Sequence, residues 1–106
     1  MTSGARTGVD IVRIVTMSPA GRHVRCTSTG LCWQSGYEVE REVESHLRAG
    51  ARAITIDLEH VLFADAHGLA HLRRAIELAL ARGAAVRVSS SLAIRSLLEA
   101  AGIDLA

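Results

Sequence analysis

The sequence predicts an α/β domain in the order β-β-α-β-α-β-α. Three observations carry that reading. Short runs rich in β-branched residues alternate with longer amphipathic runs. Each amphipathic run ends on a glycine, Gly50, Gly83 or Gly102. The strand–helix–strand unit occurs twice, and each such connection crosses over right-handed. The expected result is a mixed sheet of about four strands covered by three main helices.

The elements follow in order. Residues 1–8 read as a disordered or loosely ordered polar tail, and residues 9–106 as one domain. Val9–Thr16 (VDIVRIVT) is a strand by its β-branched content. Ser18-Pro19-Ala20-Gly21, with the only proline, is a turn. His23–Ser28 is a second strand that closes a hairpin, and Gly30 breaks it. Ser35-Gly36-Tyr37-Glu38 has capping-box spacing and opens the first helix, whose buried stripe is Val39, Val43 and Leu47. Arg52–Leu58 is a strand in which Ile54, Ile56 and Leu58 alternate with polar residues, and Glu59–Ala64 is an apolar connection. The second helix runs from about Ala66 to Arg82, capped by Asp65, with Leu69, Leu72, Ile76, Ala79 and Leu80 as its buried stripe. Ala84–Val88 is a strand. Ser89, Ser90 and Ser91 offer caps for a third helix that buries Ile94, Leu97, Leu98 and Ala101.

Composition narrows the function. With 106 residues, the chain has little room for an enclosed substrate cavity, and its 49% apolar content supports a folded core. A net charge of +1 and a single Phe, Tyr and Trp give neither the electrostatic footprint nor the stacking platform of a nucleic-acid binder. No apolar run reaches membrane-spanning length, so no membrane partner is expected. Cys26 and Cys32 lack metal-ligand or CxxC spacing, and with no secretory signal core they fit a reducing, cytoplasmic setting.

Asp65, His67 and His71 are the one constellation with a chemical look. His67 and His71 stand at i, i+4, a spacing that can hold a metal. No third and fourth ligand is evident nearby, so an N-cap aspartate followed by two solvent-facing histidines is the simpler reading, and no metal or other cofactor is expected. Ser89–Ser91 have no nucleophile-elbow pattern around them. Gly68 either admits a partner backbone or lets the helix start pack on the sheet. Trp33, in a predicted loop, is either a partner anchor or a lid on the core, the lid being favoured. Catalysis is not expected, and a metal-dependent enzyme using His67 and His71 is the least favoured alternative.

The segment Ile54–Asp104 carries a resemblance. Asp57-Leu58 ends a strand, Val61-Leu62-Phe63 forms an apolar bend, and Asp65-Ala66-His67-Gly68-Leu69 opens a helix. Gly83–Val88 and Leu98–Ile103 complete the pattern. In this order and spacing the chain resembles the STAS family, the domain of bacterial anti-sigma factor antagonists. The resemblance implies a STAS-like fold and a partner-switching transcription regulator that binds an anti-sigma factor, often a GHKL-type serine kinase. It places partner binding at Asp65, Ala66, His67, Gly68, Leu69, His71 and Trp33. In the family the first Ser after the Asp is phosphorylated. Here Ala66 occupies that position and has no hydroxyl, and the family Asp expected near Trp33 is absent. The expectation is therefore a monomeric or weakly dimeric antagonist not switchable at the usual site. The alternative is a ligand-sensing domain or a subunit of a transport assembly, settings in which STAS-like domains also occur.

Overall fold

The structure is a computed structural model that describes residues 21–105. The predicted tail, the strand Val9–Thr16, and the turn up to Gly21 lie outside the described residues. The first strand of the predicted hairpin therefore falls there, while its second, predicted over His23–Ser28, is a strand that begins at Gly21 and ends at Arg25.

Eight elements follow in the order β1 (Gly21–Arg25), β2 (Gly30–Leu31), α1 (Trp33–Arg48), β3 (Ala53–Leu58), β4 (Phe63–Ala64), α2 (Ala66–Ala81), β5 (Ala85–Ser90) and α3 (Leu92–Ala100). β1, β3 and β5 form a three-stranded sheet in that order, with both pairings parallel. β2 and β4 form a separate two-residue parallel pair. The strand Val9–Thr16, whose antiparallel pairing would make the sheet mixed, lies outside the described residues.

Right-handed crossovers between neighbouring parallel strands put α1 and α2 on the same face of the sheet. Under them lie Val24, Ile54, Ile56 and Val88, joined by Val39, Val43 and Leu47 of α1, Leu72 and Ala79 of α2, and Ile94 and Leu98 of α3. The period-2 and period-3.6 patterns thus meet in one core. The outward face carries His23, Arg25, Thr55, Asp57, Arg87 and Ser89 in register across the strands. Because all three strands run the same way, their carboxyl ends and the amino ends of the helices gather at one end of the molecule.

Several sequence expectations shift. Gly30 does not end a strand. It pairs with Phe63, whose ring lies against it where a Cβ would stand 2.5 Å away. The first helix begins at Trp33, so Ser35 is not its N-cap but its third residue, reaching back to accept the Cys32 N–H at 3.0 Å. Leu80 and Leu97, expected in the core, are exposed, each at the margin of its stripe. Ala75 and Gly68 are the buried α2 positions left out of that stripe. Asp65 is the N-cap of α2 as expected, its Oδ1 accepting the Gly68 N–H at 2.8 Å.

Candidate functional site

The amino end of α2 is built by the backbone of a neighbouring segment. The Leu31 carbonyl accepts the Asp65 N–H at 3.0 Å, and the Thr29 carbonyl accepts the Leu62 N–H at 2.7 Å. The Ser91 hydroxyl donates to the Val61 carbonyl and so fastens the start of α3 to the same connection. Three hydrogen bonds among three segments therefore fix where Asp65, Ala66 and His67 stand.

Gly68 explains how close these segments come. It is buried, and a Cβ on it would lie 2.0 Å from the Leu31 carbonyl oxygen. A Cβ on Gly36 would lie 3.1 Å from the Gly68 Cα, so α1 and α2 also meet across two glycines. Gly68 thus has the packing role of the two that the sequence left open, since its missing side chain faces the chain's own backbone rather than a partner.

The predicted site residues divide into two groups. Asp65, Ala66 and His67 are exposed at the first turn of α2. Trp33 is 61% exposed at the first turn of α1, so it is not the core lid that the sequence favoured. Helix α1 starts three residues earlier than its capping-box pattern indicated, which puts Trp33 in its first turn. Leu69 is half-buried against the core. His71 does not face solvent either: its Nδ1 lies 2.7 Å from a Glu40 carboxylate oxygen, and the Tyr37 ring meets it edge-on at 5.8 Å. Arg41 stands over that tyrosine at 5.9 Å. His71 therefore ties α2 to α1, whereas His67 is exposed.

Hydrophobic exposure marks the same end. Trp33, Tyr37, Leu62, Phe63 and Leu92 are all large, apolar and exposed. Each belongs to the first two turns of a helix or to the connection entering α2. Sequence reasoning found only Trp33 among them. Leu62 and Phe63 stand in the predicted apolar connection, and no local pattern shows that both point outward. An apolar patch set around polar helix starts is the form of a binding surface rather than of a folding core.

Two ionisable groups nearby are shifted. Backbone N–H groups at the start of α1 lower the Cys32 thiol below the ordinary value, the Ser35 N–H first, with help from the Ser35 hydroxyl. Burial pushes the Cys26 thiol up. On the outer sheet face, Asp57 accepts the Glu59 N–H at 2.9 Å and the Arg25 Nε–H at 3.1 Å. The Glu59 N–H is the main cause of its lowered carboxyl pKa, and Arg25 and His23 add to it. Its surroundings are those of a satisfied structural carboxylate, without a second acid at hand for proton transfer. Among the described residues, no cluster of three or more His, Cys, Asp or Glu is placed to hold a metal ion.

A family model for the STAS domain matches residues 23–105, which covers every helix and all but the first two residues of β1. The chain belongs to the STAS domain family. No curated protein and no solved structure matches it. STAS domains are regulatory or ligand-binding modules, and many mediate protein–protein interaction. In this STAS domain no helix among the described residues is long and apolar enough to cross a membrane.

Proposed function

We propose that this STAS domain is a protein-binding regulator of the anti-sigma factor antagonist type, acting in bacterial transcription control in the cytoplasm. Its interface is the end of the molecule where the three helices begin. The observation that carries this reading is the exposure of Trp33, Tyr37, Leu62, Phe63 and Leu92 at the helix starts and on the connection that leads into the exposed Asp65, Ala66 and His67. Aromatic anchors beside directional polar groups are what a protein interface uses. Asp65, Ala66, His67 and Trp33 touch the partner, whereas Gly68, Leu69 and His71 hold them in place from behind.

The partner is an anti-sigma factor, of the GHKL serine-kinase type where such a kinase accompanies the gene. Phosphorylation cannot release it here through the usual residue, because Ala66 offers no hydroxyl. Binding is therefore constitutive at this site. A phosphate in a relative would place roughly −1.5 to −2 charges at the mouth of α2, where the helix end accommodates it but a docked partner does not.

Ala66→Glu imitates that charge. Titrated against the anti-sigma factors of the source organism, it should bind at least tenfold more weakly than the parent, equivalent to ~1.4 kcal/mol. Its melting temperature should stay close to the parent's, since a carboxylate suits a helix start. Equal binding by parent and variant would place the interface elsewhere and refute the assignment.

A further inference from the structure

Among the described residues, β5 is an edge strand of the sheet. The Cys26 N–H bonds to the Asp57 carbonyl and the Ala85 N–H bonds to the Arg52 carbonyl. In a parallel ladder, alternate residues address opposite neighbours. Ala85, Arg87 and Ser89 therefore address β3, while Val86, Val88 and Ser90 turn their N–H and C=O groups toward the open side. Among the described residues nothing pairs with them. Ser90, at the end of this row, also has a buried hydroxyl without a hydrogen-bond partner.

The surroundings of the edge differ on its two sides. On the helix side, a cleft of about 270 Å³ is lined by Leu80, Val86 and Val88 together with the charged Arg73, Glu77 and Asp104. Leu80 is 57% exposed there, although it is a large apolar side chain. On the outward side stands Arg87. It is exposed and has no ion-pair partner among the described residues, although Asp104 lines the same hollow.

From this we infer that β5 binds an extended peptide segment of a partner protein by strand addition, with an acidic residue opposite Arg87 and apolar residues on either side of it. The outward N–H and C=O groups of Val86, Val88 and Ser90 supply main-chain hydrogen bonds, and alternate side chains sort between the Leu80, Val86 and Val88 part of the cleft and Arg87. A second copy of this chain fits less well. Antiparallel pairing of β5 with its own copy brings Arg87 against or diagonal to its twin, and like charges across a ladder repel. This surface is separate from the helix starts, so the inference goes beyond the proposed anti-sigma interface and stands without it.

The test uses the full chain, labelled with nitrogen-15, and three blocked synthetic peptides. The first, Gly-Thr-Val-Asp-Val-Thr-Gly, matches the edge. The second replaces its Asp by Lys, and the third replaces both Val by Ser. The first peptide should shift the Val86, Val88 and Ser90 amide signals and slow their hydrogen exchange. The other two should bind at least tenfold more weakly. Arg87→Glu, an exposed change that leaves the core intact, should reverse the preference between the Asp and Lys peptides. Val86→Pro, which removes one outward N–H, should weaken the first peptide, with a thermal melt as its folding control. Ala66→Glu should bind all three peptides as the parent does. The inference is overturned if the β5 amides do not respond, or if Arg87→Glu leaves the peptide preference unchanged. It is equally overturned if these amides are already protected in the dilute free chain, or gain protection with protein concentration alone, which would assign the edge to this chain or to its own copy.

Discussion

Replacing Gly68 by alanine should destabilise the domain, although the same change stabilises most helices. The added Cβ would stand 2.0 Å from the Leu31 carbonyl oxygen, 2.4 Å from its carbonyl carbon and 2.9 Å from the Cys32 nitrogen. All three are backbone atoms, so no side chain can rotate away. Ordinary contact between such atoms is about 3.5 Å, so α2 and the β2–α1 segment must separate by more than 1 Å. Overpacking of this kind costs about 1–3 kcal/mol. The separation also strains the Asp65 N–H bond to the Leu31 carbonyl, worth about 1 kcal/mol. Alanine returns only about 0.5–1 kcal/mol in helix propensity. The net loss is about 1–3 kcal/mol, which for a domain of this size lowers the melting temperature by roughly 5–20 °C. Thermal and urea melts of the parent and Gly68→Ala measure it directly. A melting temperature equal to or above the parent's would refute the close approach of α2 to Leu31 and, with it, the placement of the site.

Three further outcomes follow from the same geometry. Asp65→Ala removes the N-cap of α2 and should cost about 1 kcal/mol in a urea melt, a loss that Asp65→Asn or Asp65→Ser should largely avoid. Asp57 has a folded-state pKa below its unfolded value, so its stabilisation is complete above pH ~4 and fades as the pH falls through the lowered value. The stability gap between the parent and Asp57→Asn should therefore narrow between about pH 5 and pH 2, and a constant gap would contradict the Glu59 and Arg25 contacts. Cys32 should be alkylated by iodoacetamide at least tenfold faster than buried Cys26, with a rate midpoint below the ~8.5 of a free thiol; equal rates at the two thiols would show that the start of α1 is not built as described.

The sequence by itself determined the fold class, the three helices and the α2 cap. These are local matters. Val39, Val43 and Leu47 show a helix by spacing alone, Ile54, Ile56 and Leu58 show a strand, and Asp65 followed by an apolar run is a cap whatever surrounds it. Family membership was legible for the same reason, since it rests on the order and spacing of such patterns over residues 54–104. The tertiary structure alone decided which residues face outward at the site. Trp33 is exposed because α1 starts at residue 33, and that start depends on Ser35 bonding back to Cys32. Leu62 and Phe63 are exposed because β4 pairs over only two residues with β2, a contact between segments more than thirty positions apart. Gly68 is a packing glycine because the Leu31 carbonyl lies against it, and His71 faces inward because its Nδ1 lies against Glu40 of another helix. Periodicity reports which stripe of an element is apolar. It does not report the distance at which two backbones meet or the carbonyl that stands between them, and those contacts set the shape of this site.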